Sequence, residues 1–120
     1  MSLRVALVHS YYDGSLPSGE SLVVEAEAQA LRASGHAVEV VGLRTDDELE
    51  RSAYPVRAAF RVATGIAPSP ARKLEELQPD IVHVHNLFPN FGTRWIRQLN
   101  VPVVHTAHNF RHICPGSLLL

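Results

Sequence analysis

Short runs of β-branched residues alternate along this chain with segments of helical periodicity. Alternating or continuous apolar runs predict four strands, at residues 3–8, 37–43, 81–85 and 103–106. The pairs Ile81-Val82 and Val103-Val104 are typical of strands buried on both faces, as in a parallel sheet. The same pattern predicts that the first strand ends at His9.

The segments between the strands carry helix signals. Apolar spacing and end signals predict helices at residues 20–34, 56–64, 71–78 and 91–99, with a loop or short helix at 46–52. Ser18 or Gly19 is the expected N-cap of the first helix, and Gly35 its expected C′ residue. That helix has one narrow polar stripe, so we expect most of its surface to be packed. Glu27 falls in the apolar arc and should find a partner.

Alternation of strands and helices predicts an α/β fold, a Rossmann-like parallel sheet flanked by helices. A reversal of chain direction between the two βα pairs would put the first and third strands side by side. Polar residues follow the third and fourth strands. Ligands of such sheets bind at the carboxyl ends of the strands, so we expect the functional site there.

Composition excludes several classes of protein. With 120 residues, a hydrophobic fraction of 46% and a formal net charge of −1, the chain suits one soluble domain without a basic surplus for nucleic acid. No apolar run is long enough to span a membrane, and no signal-peptide pattern is present. The single cysteine, Cys114, suits a reducing cytoplasm. The apolar ending suggests a fragment of a longer protein, and such a fragment could dimerise.

The loop that opens the first helix is a candidate phosphate seat. Ser18, Gly19 and Glu20 stand where backbone amides at a helix N-terminus can approach an anion. An ordinary glycine-bearing turn explains the same residues. Glu20 is equally explained as a carboxylate that favours the helix dipole.

The strand ends supply the other candidates. His85 and His108 can hydrogen-bond a sugar hydroxyl or a phosphate, and Asn86 and Asn109 add donors and acceptors suited to hydroxyls. The histidines inside the strands, His83 and His105, are predicted to be satisfied groups in or near the core.

Five of the seven histidines fall between residues 83 and 112, which raises a metal-site hypothesis. Residues 81–120 contain no Asp or Glu, however, and hydrolytic His-x-His sites usually add carboxylates, so no metal is expected. Cys114 lacks the surroundings that activate a thiol. Arg94 and Arg111 are read as surface residues, although either could contact phosphate, and Trp95 and Ile96 as core.

Five segments together carry a family resemblance. They are PSGE at 17–20, GHAV at 35–38, PDIVHVHN at 79–86, VPVVHTAHNFR at 101–111 and CPG at 114–116. In order and spacing they resemble the N-terminal domain of family-4 glycosyltransferases. The resemblance implies the N-terminal, acceptor-side half of a GT-B fold, truncated at Leu120, with the C-terminal nucleotide-sugar domain absent.

The resemblance also implies roles for residues. The loop of Ser18, Gly19 and Glu20 would approach the donor diphosphate, although Ser18 replaces the first of two glycines common in the family. His108 would lie at the sugar transfer site as the catalytic residue. His85 and Asn86 would lie in the acceptor cleft, and Asn109 would bind substrate beside them.

The implied activity is that of a retaining enzyme that transfers a hexose-type sugar from a nucleotide-sugar donor to a hydroxyl acceptor, without a metal. Residues 1–120 alone would be inactive, because the donor domain is missing. Two alternatives remain: a non-catalytic Rossmann-like module for binding or dimerisation, and a His-rich, metal-dependent hydrolase.

Overall fold

A computed structural model of the chain describes residues 1–11, 18–44, 54–64, 69–88 and 90–109. The strands are β1 (Arg4–Tyr11), β2 (Ala37–Arg44), β3 (Ile81–Val84) and β4 (Val103–His105). The helices are α1 (Gly19–Ala33), α2 (Tyr54–Thr64), α3 (Ala71–Leu77) and a 3-10 helix (Arg94–Gln98). Residues 46–52, together with Arg111, His112 and Cys114, lie outside the described residues.

The four strands form one parallel sheet in the order β2-β1-β3-β4. This confirms the α/β, Rossmann-like prediction and the placement of the first strand beside the third. Two backbone hydrogen bonds continue the pairing of β1 beyond the end of β3. His85 N donates to Val8 O over 3.0 Å and Ser10 N donates to Asn86 O over 2.6 Å. The residues that follow β3 are therefore fixed against the end of β1.

A separate hydrophobic layer covers each face of the sheet. α1 covers one face, where Val24 and Ala28 pack against Val5 and Leu7 of β1. On the opposite face, α3 and the 3-10 helix pack on the alternate residues of the strands. That larger cluster contains Ala6, Val8, Val41, Leu74, Val82, Val84, Phe91 and Trp95. β1 is thus buried on both sides, as its central position requires.

The caps of α1 are those expected. Ser18 is the N-cap and its Oγ accepts a hydrogen bond from Ser21 N over 3.2 Å. Gly35 has a φ of +89°, a left-handed conformation that favours glycine.

The prediction that most of α1 is packed was wrong. Its buried residues are Ser21, Val24 and Ala28, whereas Leu22 and Val23 are 58% and 47% exposed. A helix lying on one face of a sheet buries a single stripe, and here that stripe begins with a serine predicted to be in the polar stripe.

Two further predictions need correction. Of the helix predicted at residues 91–99, only Arg94–Gln98 are helical, and they form a 3-10 helix and not an α-helix, with Ile96 N bonded to Thr93 O. Trp95 is buried as predicted. Val104 is 45% exposed, because β4 is the last strand in the described sheet order and is covered on one side only.

Candidate functional site

Polar side chains from four segments meet at the carboxyl edge of the sheet. β1 supplies His9, the residues after β3 supply His85 and Asn86, and those after β4 supply His108 and Asn109. The start of α1 supplies Glu20 and Ser21. The structure therefore brings the histidine and asparagine candidates together with Glu20, as expected for this edge of a parallel sheet.

His85 and His108 are in direct contact. His85 Nδ1 lies 2.9 Å from His108 Nε2, and the two rings stack with centroids 5.2 Å apart at 20°. His85 is 2% exposed, whereas His108 is half-buried. Of the two, His108 is therefore the ring that a ligand can reach.

Glu20 joins the ends of β3 and β4. One carboxylate oxygen accepts a hydrogen bond from Asn86 Nδ2 over 3.0 Å, and the other accepts one from Asn109 Nδ2 over 3.1 Å. The amide oxygen of Asn86 also accepts from Phe88 N over 3.1 Å. Both ends of the buried Asn86 amide are thus engaged within the protein, while Asn109 is half-buried.

The start of α1 has some features that favour anion binding and others that oppose it. Ser18 Oγ already accepts from Ser21 N, which occupies one of the amides that a phosphate would use. Gly19 is exposed, and a Cβ atom there would meet nothing within 4 Å. The Glu20 carboxylate opposes an anionic ligand at this position.

Glu27 is a site residue that the sequence reasoning left without a role. Its Oε1 lies 2.6 Å from His83 Nδ1, and its Oε2 lies 3.1 Å from His85 Nε2, off the line of a hydrogen bond. His83 Nε2 in turn lies 2.8 Å from Thr106 Oγ1. Glu20 and Glu27 are seven residues apart and so share one face of α1, a signal that could have identified the pair.

His9 was also missed as a site residue. It was predicted to end the first strand, but β1 continues to Tyr11 and the His9 side chain is completely buried. Its Nε2 lies 3.3 Å from Ser21 Oγ, and its ring meets the Tyr11 ring edge-on at 4.7 Å. The buried serine of α1 thus serves as the polar partner of a buried histidine.

Burial keeps two of these histidines neutral. It lowers the pKa of His9 to about 4, because the imidazolium would lose its hydration; His85 acts in the same direction and Glu20 opposes it. The pKa of His85 is lowered in the same way by burial, then by His83 and His108, while Glu27 opposes. Burial and the hydrogen bond to Glu25 raise the pKa of Tyr11 to about 12.

The predictions for the two histidines inside the strands had different outcomes. His83 is a satisfied, largely buried group, as expected. His105 is exposed, which contradicts its predicted place in or near the core, because it lies on β4 at the end of the sheet order. Arg94 is exposed at the start of the 3-10 helix, as expected for a surface residue.

Glu27, His83 and His85 could also hold a metal ion. One potential ligand atom from each lies within 4.8 Å of the others. Two imidazoles and a carboxylate are a donor set that zinc accepts, so the carboxylate missing from residues 81–120 is supplied by α1. A metal would have to displace the contact between Glu27 and His83, however.

A search of protein-family models matched residues 17–118 to the model described as Glycosyltransferase Family 4. No significant match was found to a curated protein or to a solved structure. Within the described residues, no helix has the length and apolar character needed to cross a membrane.

Proposed function

The chain belongs to glycosyltransferase family 4, and we propose that it forms the acceptor-side part of a retaining, nucleotide-sugar-dependent enzyme. That enzyme would transfer a hexose-type sugar to a hydroxyl acceptor. The observation that carries the proposal is the contact between His85 and His108, at the strand edge where Glu20 binds the two asparagines. The donor domain would be supplied by a part of the protein outside these 120 residues.

The polarity of this edge favours a ligand rich in hydroxyl groups. His85 is neutral near pH 7, and imidazole and amide groups can both donate and accept. The two carboxylates nearby, Glu20 and Glu27, are better matched to neutral hydroxyls than to a diphosphate. We therefore assign the sugar and acceptor to this edge. Cationic groups elsewhere in the protein would offset the charge of the leaving diphosphate.

The accessible side chains would make the contacts to substrate. His108 would bind a hydroxyl of the transferring sugar and hold that sugar in position while charge develops on it. It would not act as a covalent nucleophile. Asn109 would bind beside it. Asn86 and His85 are buried, so their contribution would be to hold His108 and Glu20 in place. The exposed Gly19, beside the N-cap Ser18, would leave room for the donor phosphates, whose charge the Glu20 carboxylate opposes and cationic groups outside this edge would have to offset.

The test uses the complete protein and a panel of UDP-, GDP- and ADP-sugars, with binding measured by calorimetry and transfer by product formation. His108→Ala should reduce transfer by at least about 100-fold while retaining most of the donor affinity. His105→Ala is the matched control, because His105 lies three residues earlier and is exposed. Transfer by His108→Ala at the control rate, or no binding of any nucleotide sugar, would contradict the proposal.

A further inference from the structure

A continuous line of contacts runs from α1 to His108. Glu27 Oε2 lies 3.1 Å from His85 Nε2, an electrostatic contact off the line of a hydrogen bond, and His85 Nδ1 lies 2.9 Å from His108 Nε2. The first contact is shielded, because the His85 side chain has no exposure and the Glu27 side chain is only 25% exposed. The half-buried His108 stands at the accessible end of this line.

The positions of the protons follow from these contacts. A nitrogen lone pair 3.1 Å from a carboxylate oxygen would be repelled, so Nε2 of His85 carries a proton. The His85 side chain has no exposure to water, which disfavours a doubly protonated ring, so the ring holds one proton only and its Nδ1 accepts. His108 Nε2 must then donate, since two lone pairs cannot face each other at 2.9 Å.

The other carboxylate oxygen of Glu27, Oε1, holds the side chain in place through His83. Oε1 is 2.6 Å from His83 Nδ1, and the other nitrogen of His83 is 2.8 Å from Thr106 Oγ1. Glu27 is thereby tied to the residues that follow β4 as well as to those that follow β3. Turning the carboxylate away from His85 would break the short hydrogen bond between Oε1 and His83.

We propose that Glu27 is a positioning residue of the transfer site, holding His85 and through it His108 in one tautomer and one orientation. His108 keeps its proton on Nε2, so in the neutral ring Nδ1 is the nitrogen that accepts from a substrate hydroxyl. The inference rests on the proposed function for its catalytic consequence. The assignment of tautomers stands on the contacts alone.

The first measurement is a long-range ¹H–¹⁵N correlation spectrum of the complete protein labelled in its histidines. His85 should show a protonated Nε2 and an unprotonated Nδ1, and His108 a protonated Nε2. In Glu27→Gln we expect a mixture of His85 tautomers, because an amide offers one acceptor and one donor to the two histidines. Glu25→Gln is the matched control, since Glu25 lies on α1 and bonds Tyr11.

The second measurement is transfer kinetics on the same proteins. Glu27→Gln should lower kcat by about 10- to 100-fold with KM changed less than about twofold, because His108 is misplaced and binding contacts remain. The Glu25→Gln control should keep kcat. A purely structural role would lower the melting temperature of Glu27→Gln without shifting the tautomers of its folded form.

The outcomes separate the two proposals. A wild-type His85 protonated on Nδ1 would overturn the inference, and so would a Glu27→Gln protein with unchanged tautomers or unchanged kcat. If the wild-type protein transfers no sugar, the proposed function fails. The spectrum of the wild-type protein still decides whether the contacts among Glu27, His85 and His108 fix the tautomers of the two histidines.

Discussion

His85 and His108 stack with their facing nitrogens 2.9 Å apart, although 23 positions separate them in the chain. Each follows a strand by one to three residues, and the strands β3 and β4 are paired in parallel. The pairing of β3 with β4 therefore places the two rings next to each other, and any change that shifts the register of β4 would separate them.

The buried histidines should make stability fall in acid. The pKa of His9 is about 4 in the folded protein and about 6.5 in an unfolded chain, and that of His85 is lowered likewise. Between these values the unfolded chain binds more protons, so stability decreases as the pH falls from about 6.5 to 4 and is unaffected by these groups above about pH 7. For His9 the full loss is at most about 3 kcal/mol.

Urea unfolding between about pH 4 and 7 measures this slope. His9→Asn should flatten it, since one of the two groups is removed. Gln29→Ala, which removes no titratable group from an exposed position of α1, should leave the slope as it is in the wild-type protein. An equal slope in all three proteins would show that His9 is not kept neutral by the fold.

Removing the Glu20 carboxylate should loosen the strand ends. Glu20→Ala removes the carboxylate that accepts from the amides of both Asn86 and Asn109, at an expected cost of about 2–3 kcal/mol in unfolding free energy. Glu20→Gln keeps one acceptor oxygen and should cost about half as much. Gln29→Ala on the exposed side of α1 is the control, and a similar loss there would rule out a specific role for Glu20.

Residue 42 lies so close to the Tyr11 ring that only glycine fits there without a shift of the ring. A Cβ atom at residue 42 would lie 2.6 Å from Tyr11 Cε2, and that ring is held by Glu25 and by its contact with His9. Gly42→Ala should therefore destabilise the protein by about 1–3 kcal/mol and disturb His9. Gly19→Ala, where nothing lies within 4 Å, should be tolerated. Equal melting temperatures for the two variants would contradict this.

Metal removal should leave transfer unaffected. Glu27 is already bound to His83, and no described step needs a Lewis acid. We expect the complete protein to keep its activity after dialysis against a chelator, and to contain less than one zinc per chain by elemental analysis. A loss of activity that zinc restores would instead support the metal-dependent alternative built on Glu27, His83 and His85.

Local chemistry made much of the fold predictable. The cap at Ser18, the left-handed Gly35 and the apolar runs of the strands each depend on residues a few positions apart. The strand order followed from general rules of chain connection. Strand ends were less accurate, because β1 continues through His9 to Tyr11 by pairing with β2, which its own pattern does not reveal.

The site was only partly predictable, because its partners are distant in sequence. Glu27 and His83 are 56 residues apart, so nothing near either one indicates the contact. The two carboxylates of the site belong to α1, far in sequence from the histidines of residues 81–120. The exposure of Leu22 and the burial of Ser21 likewise depend on how α1 lies on the sheet.

The contact between Glu20 and Asn109 spans 89 positions of the chain. During synthesis the carboxylate emerges long before the amide that it will bind, and Glu27 likewise precedes His83. The carboxylates of α1 therefore gain these hydrogen-bond partners only after β3 and β4 have been translated and paired. Assembly of this edge of the sheet is consequently a late event in the biogenesis of the protein, and a ribosome-bound chain that ends before β4 would carry the helix without the candidate site.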